Sequence, residues 1–185
     1  MPVTTLDPNT ALILIDLQEG IVARDTKPYP AAQVVAKAAA LARAFRACEL
    51  PVVLVHVTGG APGRNEQPPQ DPPPSNWADL VPELDRQPGD HVVTKQTWGA
   101  FVNTDLEQYL RAQAVTQVVI AGIATAIGVE STARQAYEAG FNVTLAVDAM
   151  TDLAAATHEN SVKVIFPRLG ETGTADEIIA LLDRR

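Results

Sequence analysis

Five apolar runs punctuate the chain: ALILIDL (11–17), PVVLVHV (51–57), HVVTK (91–95), QVVIAGI (117–123) and NVTLAVDAM (142–150). They are rich in Val, Ile and Leu and lack polar alternation, the pattern of strands covered on both faces. Between them the spacing becomes helical, over 30–48, 103–114, 128–140 and 154–166. The tail TADEIIALLDRR predicts a last helix with Thr174 as its N-cap. The short segment between Pro167 and Thr174 is placed to add a sixth strand at an edge. Repeated strand–helix alternation predicts one α/β domain over 1–185. Its expected form is a three-layer α/β/α, Rossmann-like arrangement around a mainly parallel sheet of about six strands. The inventory falls short of the eight units of a TIM barrel.

One segment breaks the rhythm. Residues 58–90 hold eight of the fourteen prolines, including Pro68, Pro69 and the run Pro72–Pro74. Such a stretch is stiff and extended, and in a compact domain reads as a lid or an interface arm. Trp77 and Leu80 suggest that part of it packs against the body.

Composition narrows the partners. A net charge of −8 argues against nucleic acid or an anionic membrane as the main partner, since both need a basic surface. The apolar runs are too short to span a bilayer, and MPVTTLDPNT shows no secretory pattern, so a cytoplasmic location is expected. The single cysteine, Cys48, excludes an internal disulfide and reads as a small buried residue of the 30–48 helix.

In open parallel sheets, ligands bind beyond the carboxyl ends of the strands, near the point where strand order reverses. Three polar features fall at such ends: Asp16 after the first strand, Lys95 at the end of the third, and the 124–128 turn after the fourth. A carboxylate closing an apolar run costs free energy unless it is paired or hydrogen-bonded. Lys95 would favour an ionised Asp16, a base; burial would favour the protonated acid. The fourth strand leads through a glycine-bearing turn into a helix that opens at Gly128. Its unpaired N–H groups suit an oxyanion or a carboxylate. GIATAIG is neither a dinucleotide fingerprint nor a phosphate loop. Ser131 and Thr132 lie a turn inside the helix without an evident base, and Glu130 with Arg134 makes an i,i+4 pair. His56, His91 and His158 lack metal-site spacing, so no metal and no cofactor are expected. Trp98 and Phe101 are candidates to line the pocket.

The segments LILIDLQEGI, K-x-x-W-G-A-F-x-x-T-x-L from Lys95 to Leu106, and GIATAIGVESTARQAYEAGF resemble the isochorismatase-like hydrolases from about Thr10 to Leu182. That group includes nicotinamidases, N-carbamoylsarcosine amidohydrolase and isochorismate-cleaving enzymes. The resemblance implies a parallel sheet flanked by helices and a catalytic acid and lysine at Asp16 and Lys95. It puts the cysteine nucleophile of the amidohydrolase branch at Gly128, where no side chain exists, so a thioester route is disfavoured. The isochorismate-cleaving branch has glycine there too. Its enol ether is protonated by an acid and then takes up water. It has a glutamine near the end of the second strand, where this chain has Val57 or Thr58. The resemblance further implies a cis peptide at Ile123–Ala124, substrate contacts at Ile123, Ala124 and Ile127, and a homo-oligomer, dimer or tetramer, with the 58–90 arm as an interface. The expected activity is cysteine-independent hydrolysis of a small metabolite. The alternative is an inactive ligand-binding or scaffolding protein.

Overall fold

The computed structural model describes residues 3–67 and 72–184. Pro68 and Pro69 lie outside the described residues. Among these residues the sheet has six strands, all parallel: β1 (Thr10–Ile15), β2 (Val52–Val57), β3 (His91–Lys95), β4 (Gln117–Ile123), β5 (Asn142–Thr151) and β6 (Glu171–Gly173). Their order is β3-β2-β1-β4-β5-β6. The expected three-layer α/β fold is therefore present, including the edge strand before Thr174.

The helices are α1 (Glu19–Val22), α2 (Ala31–Ala47), α3 (Leu106–Ala112), α4 (Glu130–Glu138), α5 (Ala155–Asn160), α6 (Phe166–Leu169) and α7 (Ala175–Leu182). Right-handed crossovers fix which face each one covers. The chain moves one way along the sheet from β1 to β2, and α2 lies on one face with α7. It moves the other way from β3 to β4 and from β4 to β5, and α3 and α4 lie on the opposite face. The core divides accordingly: Leu12, Leu14, Val34, Leu41, Phe45 and Ile178 pack on one side, and Ile13, Ile15, Leu106, Val129 and Phe166 on the other. Alternate residues of β1 thus feed two separate cores, which is why its pattern shows no polar alternation. Thr174 closes a capping box with Glu177 at the start of α7.

Several boundaries differ from the sequence expectation. The expected 154–166 helix is interrupted: α5 gives way to a π-helical turn over Ser161–Ile165 before α6. Pro167, within the first turn of α6, has no N–H and crowds the carbonyl four residues back, so the ladder widens ahead of it. The helix after β4 does not open at Gly128. A π-helical turn spans Thr125–Val129, with the Ala124 carbonyl accepting from both Ile127 and Val129. Cys48 is exposed, not buried. It caps α2 at φ −91° and ψ 9°, where the helix has unwound and its inward stripe has ended at Phe45.

β4 passes close against β1 at Gly122. Gly122 has φ +126°, and a Cβ there would lie 2.1 Å from the Ile15 carbonyl oxygen. Gly122→Ala combines a disallowed backbone angle with a clash against a main-chain atom that no rotamer relieves. It is expected to cost roughly 2–5 kcal/mol. Denaturant unfolding checks this; a wild-type midpoint would show that the two strands can separate at no cost.

Candidate active site

Strand order reverses between β1 and β4, and the residues following both strands meet there. Asp16 leaves β1 with φ +52°, a left-handed conformation uncommon for a residue with a side chain, and its N–H donates to Val55 O at 2.9 Å. That turn aims the carboxylate across the sheet edge. Lys95 arrives from β3, on the far side of β2. Neighbouring strands are about 4.8 Å apart, so only a long side chain bridges that span. Lys95 Nζ donates to Asp16 Oδ2 at 2.8 Å and to Thr97 O at 3.1 Å. The pair is 2% and 5% exposed for Lys95 and Asp16, respectively.

Asp16 Oδ1 is buried with no hydrogen-bond partner. Burial pushes the carboxyl up from 3.8 to about 6, and the Lys95 ammonium, with a smaller pull from His56, holds it from rising further.

The turn after β4 completes the floor. The Ile123–Ala124 peptide is cis, as the resemblance implies. Thr125 Oγ1 and His158 Nδ1 are 2.8 Å apart, and the Ala126 N–H donates to Asp152 Oδ2 at 2.6 Å. His158 is buried rather than on an open helix face, and burial lowers its imidazole below the ordinary value. One of the expected open donors is therefore already taken by Asp152. A Cβ at Gly128 would lie 2.9 Å from Ile15 Cγ2 and 3.1 Å from Asp16 Oδ2. The Gly128 backbone thus rests directly against the carboxylate.

Above this floor lies a cavity of about 330 Å³. Asp16, Lys95, Trp98, Ile123, Ala124, Ile127 and Gly128 all line it, so seven of the eight residues expected at the site converge. Phe101 does not. Its N–H donates to Gln135 Oε1 on α4, and its ring packs against Phe141, with centroids 6.0 Å apart. Docking of the 98–101 loop onto α4 turns Phe101 to the sheet and leaves Trp98 at the mouth, 66% exposed.

Other residues at the site escaped the sequence reading. Gln18 is fully buried; its amide donates to Val57 O and Trp77 O, both at 3.1 Å, and accepts from Val57 N at 2.8 Å. It ties the ends of β1 and β2 to the proline-rich segment. Trp77 from that segment lies over Gly20, where a Cβ would meet its ring at 1.8 Å, and it lines the cavity with Gly59, Gly60 and Leu153. Arg24, just after α1, lines it too. A polar residue two positions after Asp16 was visible in LILIDLQ, and Trp77 was expected to pack against the body; nothing local marked the other residues.

The remaining candidates have structural partners. Thr132 Oγ1 donates to Gly128 O at 2.7 Å and accepts from Ala100 N at 3.2 Å. Glu130 pairs with Arg134 at 2.9 Å. His56 sits between Ala78 O and Thr94 Oγ1, and His91 stacks on Tyr109 with centroids 3.9 Å apart. Among the described residues no three His, Cys, Asp or Glu side chains group as a metal set, and no helix is long and apolar enough to cross a membrane.

A ligand-sized cavity over the carboxyl ends of a parallel sheet, at its switch point, is the layout of an α/β enzyme for small molecules. Residues 10–177 match the Isochorismatase domain, and the chain belongs to that family of hydrolases. It is 42% identical over 180 residues to the uncharacterized isochorismatase family protein YecD of Escherichia coli O157:H7, covering 94% of this chain and 96% of that one. It is 40% identical over 178 residues to the uncharacterized isochorismatase family protein YwoC of Bacillus subtilis strain 168, with 92% of each covered. The structure of an isochorismatase family protein from Burkholderia thailandensis superposes with a TM-score of 0.93 at 44% identity, covering 97% of this chain and 98% of that one.

Proposed function

We propose that the chain hydrolyses a small metabolite without a covalent intermediate, with Asp16 moving the proton and water as the nucleophile. The observation that carries this reading is the unpartnered Asp16 Oδ1 in a carboxylate raised to about 6 beside the cavity. A buried acceptor lacking a donor leaves a hydrogen bond to be made, and a water admitted with the substrate supplies it. At pH 7 such a group is about ten-to-one ionised, near the balance that general acid–base catalysis requires. Oδ1 takes a proton from water as the water oxygen bonds to the electrophilic carbon. The same proton then passes to the departing group as its bond to that carbon breaks.

Lys95 fixes Asp16 through Oδ2, leaving Oδ1 for water, and stabilises negative charge that develops near it. Gly128 stands at the nucleophile position that the resemblance implies. With no side chain there, its main chain closes against Asp16 and leaves hydrolysis to water.

The pH–rate profile tests this. Turnover is expected to fall on the acid side with an apparent pKa near 6, the value of Asp16. A rate that falls above pH 6 instead would assign Asp16 as an acid toward an enol ether. Saturable binding with no turnover across amides, ureides, esters and enol ethers would leave a ligand-binding protein.

A further inference from the structure

The chain carries 22 acidic and 14 basic residues, yet the cavity reverses that balance. Its lining holds one carboxylate, Asp16, against two cations, Lys95 and Arg24. Asp16 and Lys95 are engaged with each other at 2.8 Å. Arg24 is the uncompensated charge. Among the described residues no acid comes within ion-pair distance of its guanidinium, and the adjacent Asp25 is turned to Lys27 at 3.6 Å. The rest of the wall is largely apolar, with Ile21, Val57, Ile127, Leu153 and two indole rings, Trp77 and Trp98. A volume of about 330 Å³ lies at the small end of the range for ligand sites.

We propose that Arg24 is a specificity-determining residue that holds the carboxylate of a small, planar, monoanionic substrate, with its unsaturated or aromatic body against Trp77 and Trp98. This rests on reading the cavity as the substrate site. A guanidinium presents two parallel N–H donors that match a carboxylate. Flat apolar groups bury well against indole faces. Substrate charge held at Arg24 leaves the reacting bond to the Asp16 end of the cavity. Lys95 stays free of the substrate carboxylate, so its hydrogen bond to Asp16 survives binding.

The chain has two tryptophans, and both line this cavity, so intrinsic fluorescence reports its occupancy. Benzoate, cinnamate and sorbate, each titrated beside its own amide, are the probes. At least one carboxylate is expected to bind the wild type about tenfold or more tightly than its amide. Arg24→Gln is expected to abolish that preference while leaving amide binding unchanged, and Arg24→Lys to restore part of it. Arg24 is exposed, so both variants are expected to melt with the wild type. Equal affinities for acid and amide, including no binding by either, would overturn the proposal. So would a preference that survives in Arg24→Gln. An Arg24-dependent preference in a protein that turns nothing over keeps this inference and removes the hydrolase reading. Turnover indifferent to Arg24 does the reverse.

Discussion

Asp16→Asn is expected to lower turnover by about 10²–10⁴-fold, the usual contribution of a positioned acid or base. Asparagine keeps the shape of the side chain, and its carbonyl still accepts from Lys95. It has no oxygen that can take a proton near neutral pH. Cys48→Ala is the matched control and is expected to leave the rate unchanged, because Cys48 is exposed at the end of α2. Loss of activity in the cysteine variant with its fold intact would reject the assignment.

Stability measurements give the same substitution a second reading. The buried carboxyl is raised from 3.8 to about 6, so the folded protein keeps a proton that the unfolded chain releases between those values. The stabilisation from that proton is complete below pH 3.8 and is lost as pH rises through 6. The full change is about 3 kcal/mol. Asparagine titrates nowhere in this range. The unfolding free energy of the wild type minus that of the variant should therefore fall as pH rises through the window, then level. A flat difference would show that Asp16 has an ordinary acidity.

Lys95→Met is expected to have the largest effect on the fold. It leaves the Asp16 carboxylate buried with neither oxygen partnered. Removing one member of a buried pair typically costs about 3–5 kcal/mol. The protein escapes part of that cost by holding the proton on Asp16, so the carboxyl moves further up. The loss of stability should be full at pH 8 and smaller at pH 5, where Asp16 is protonated in both proteins. Any remaining turnover should show its acid limb displaced to higher pH, because the base is now ionised only there. Urea unfolding at the two pH values and one rate profile check this. A variant whose limb stays near pH 6 would mean that Lys95 does not set the proton affinity of Asp16.

Much of this was legible in the chain, and the reason is the double burial of the sheet. Strands covered on both faces announce themselves as unbroken apolar runs, so the polar residue that closes each run stands out. Asp16 was visible for that reason. Lys95 closes β3, a half-exposed edge strand, and stood out by its place at a strand end. The open α/β layout placed both on one rim. Residues that reach the cavity by folding back were not visible. Trp77 comes from a proline-rich segment with no period, and Arg24 follows a helix of a single turn; only the assembled β1–β2 edge brings them in. Phe101 failed for the opposite reason. It shares a motif with Trp98, but the Ala100 and Phe101 N–H groups donate to Thr132 and Gln135 on α4, which turns the two rings in different directions. Cys48 lay inside a helical pattern whose last turn unwinds.

The two charges at the heart of the site are 79 positions apart in sequence and sit on strands with a third between them. A nascent chain therefore carries a solvated Asp16 of unremarkable acidity, and a partly assembled sheet missing β3 offers it no ammonium. The buried pair on which the proposed chemistry rests exists only once β1, β2 and β3 are together. Completion of the sheet is thus a precondition for the proposed proton transfer, written into the order of its strands.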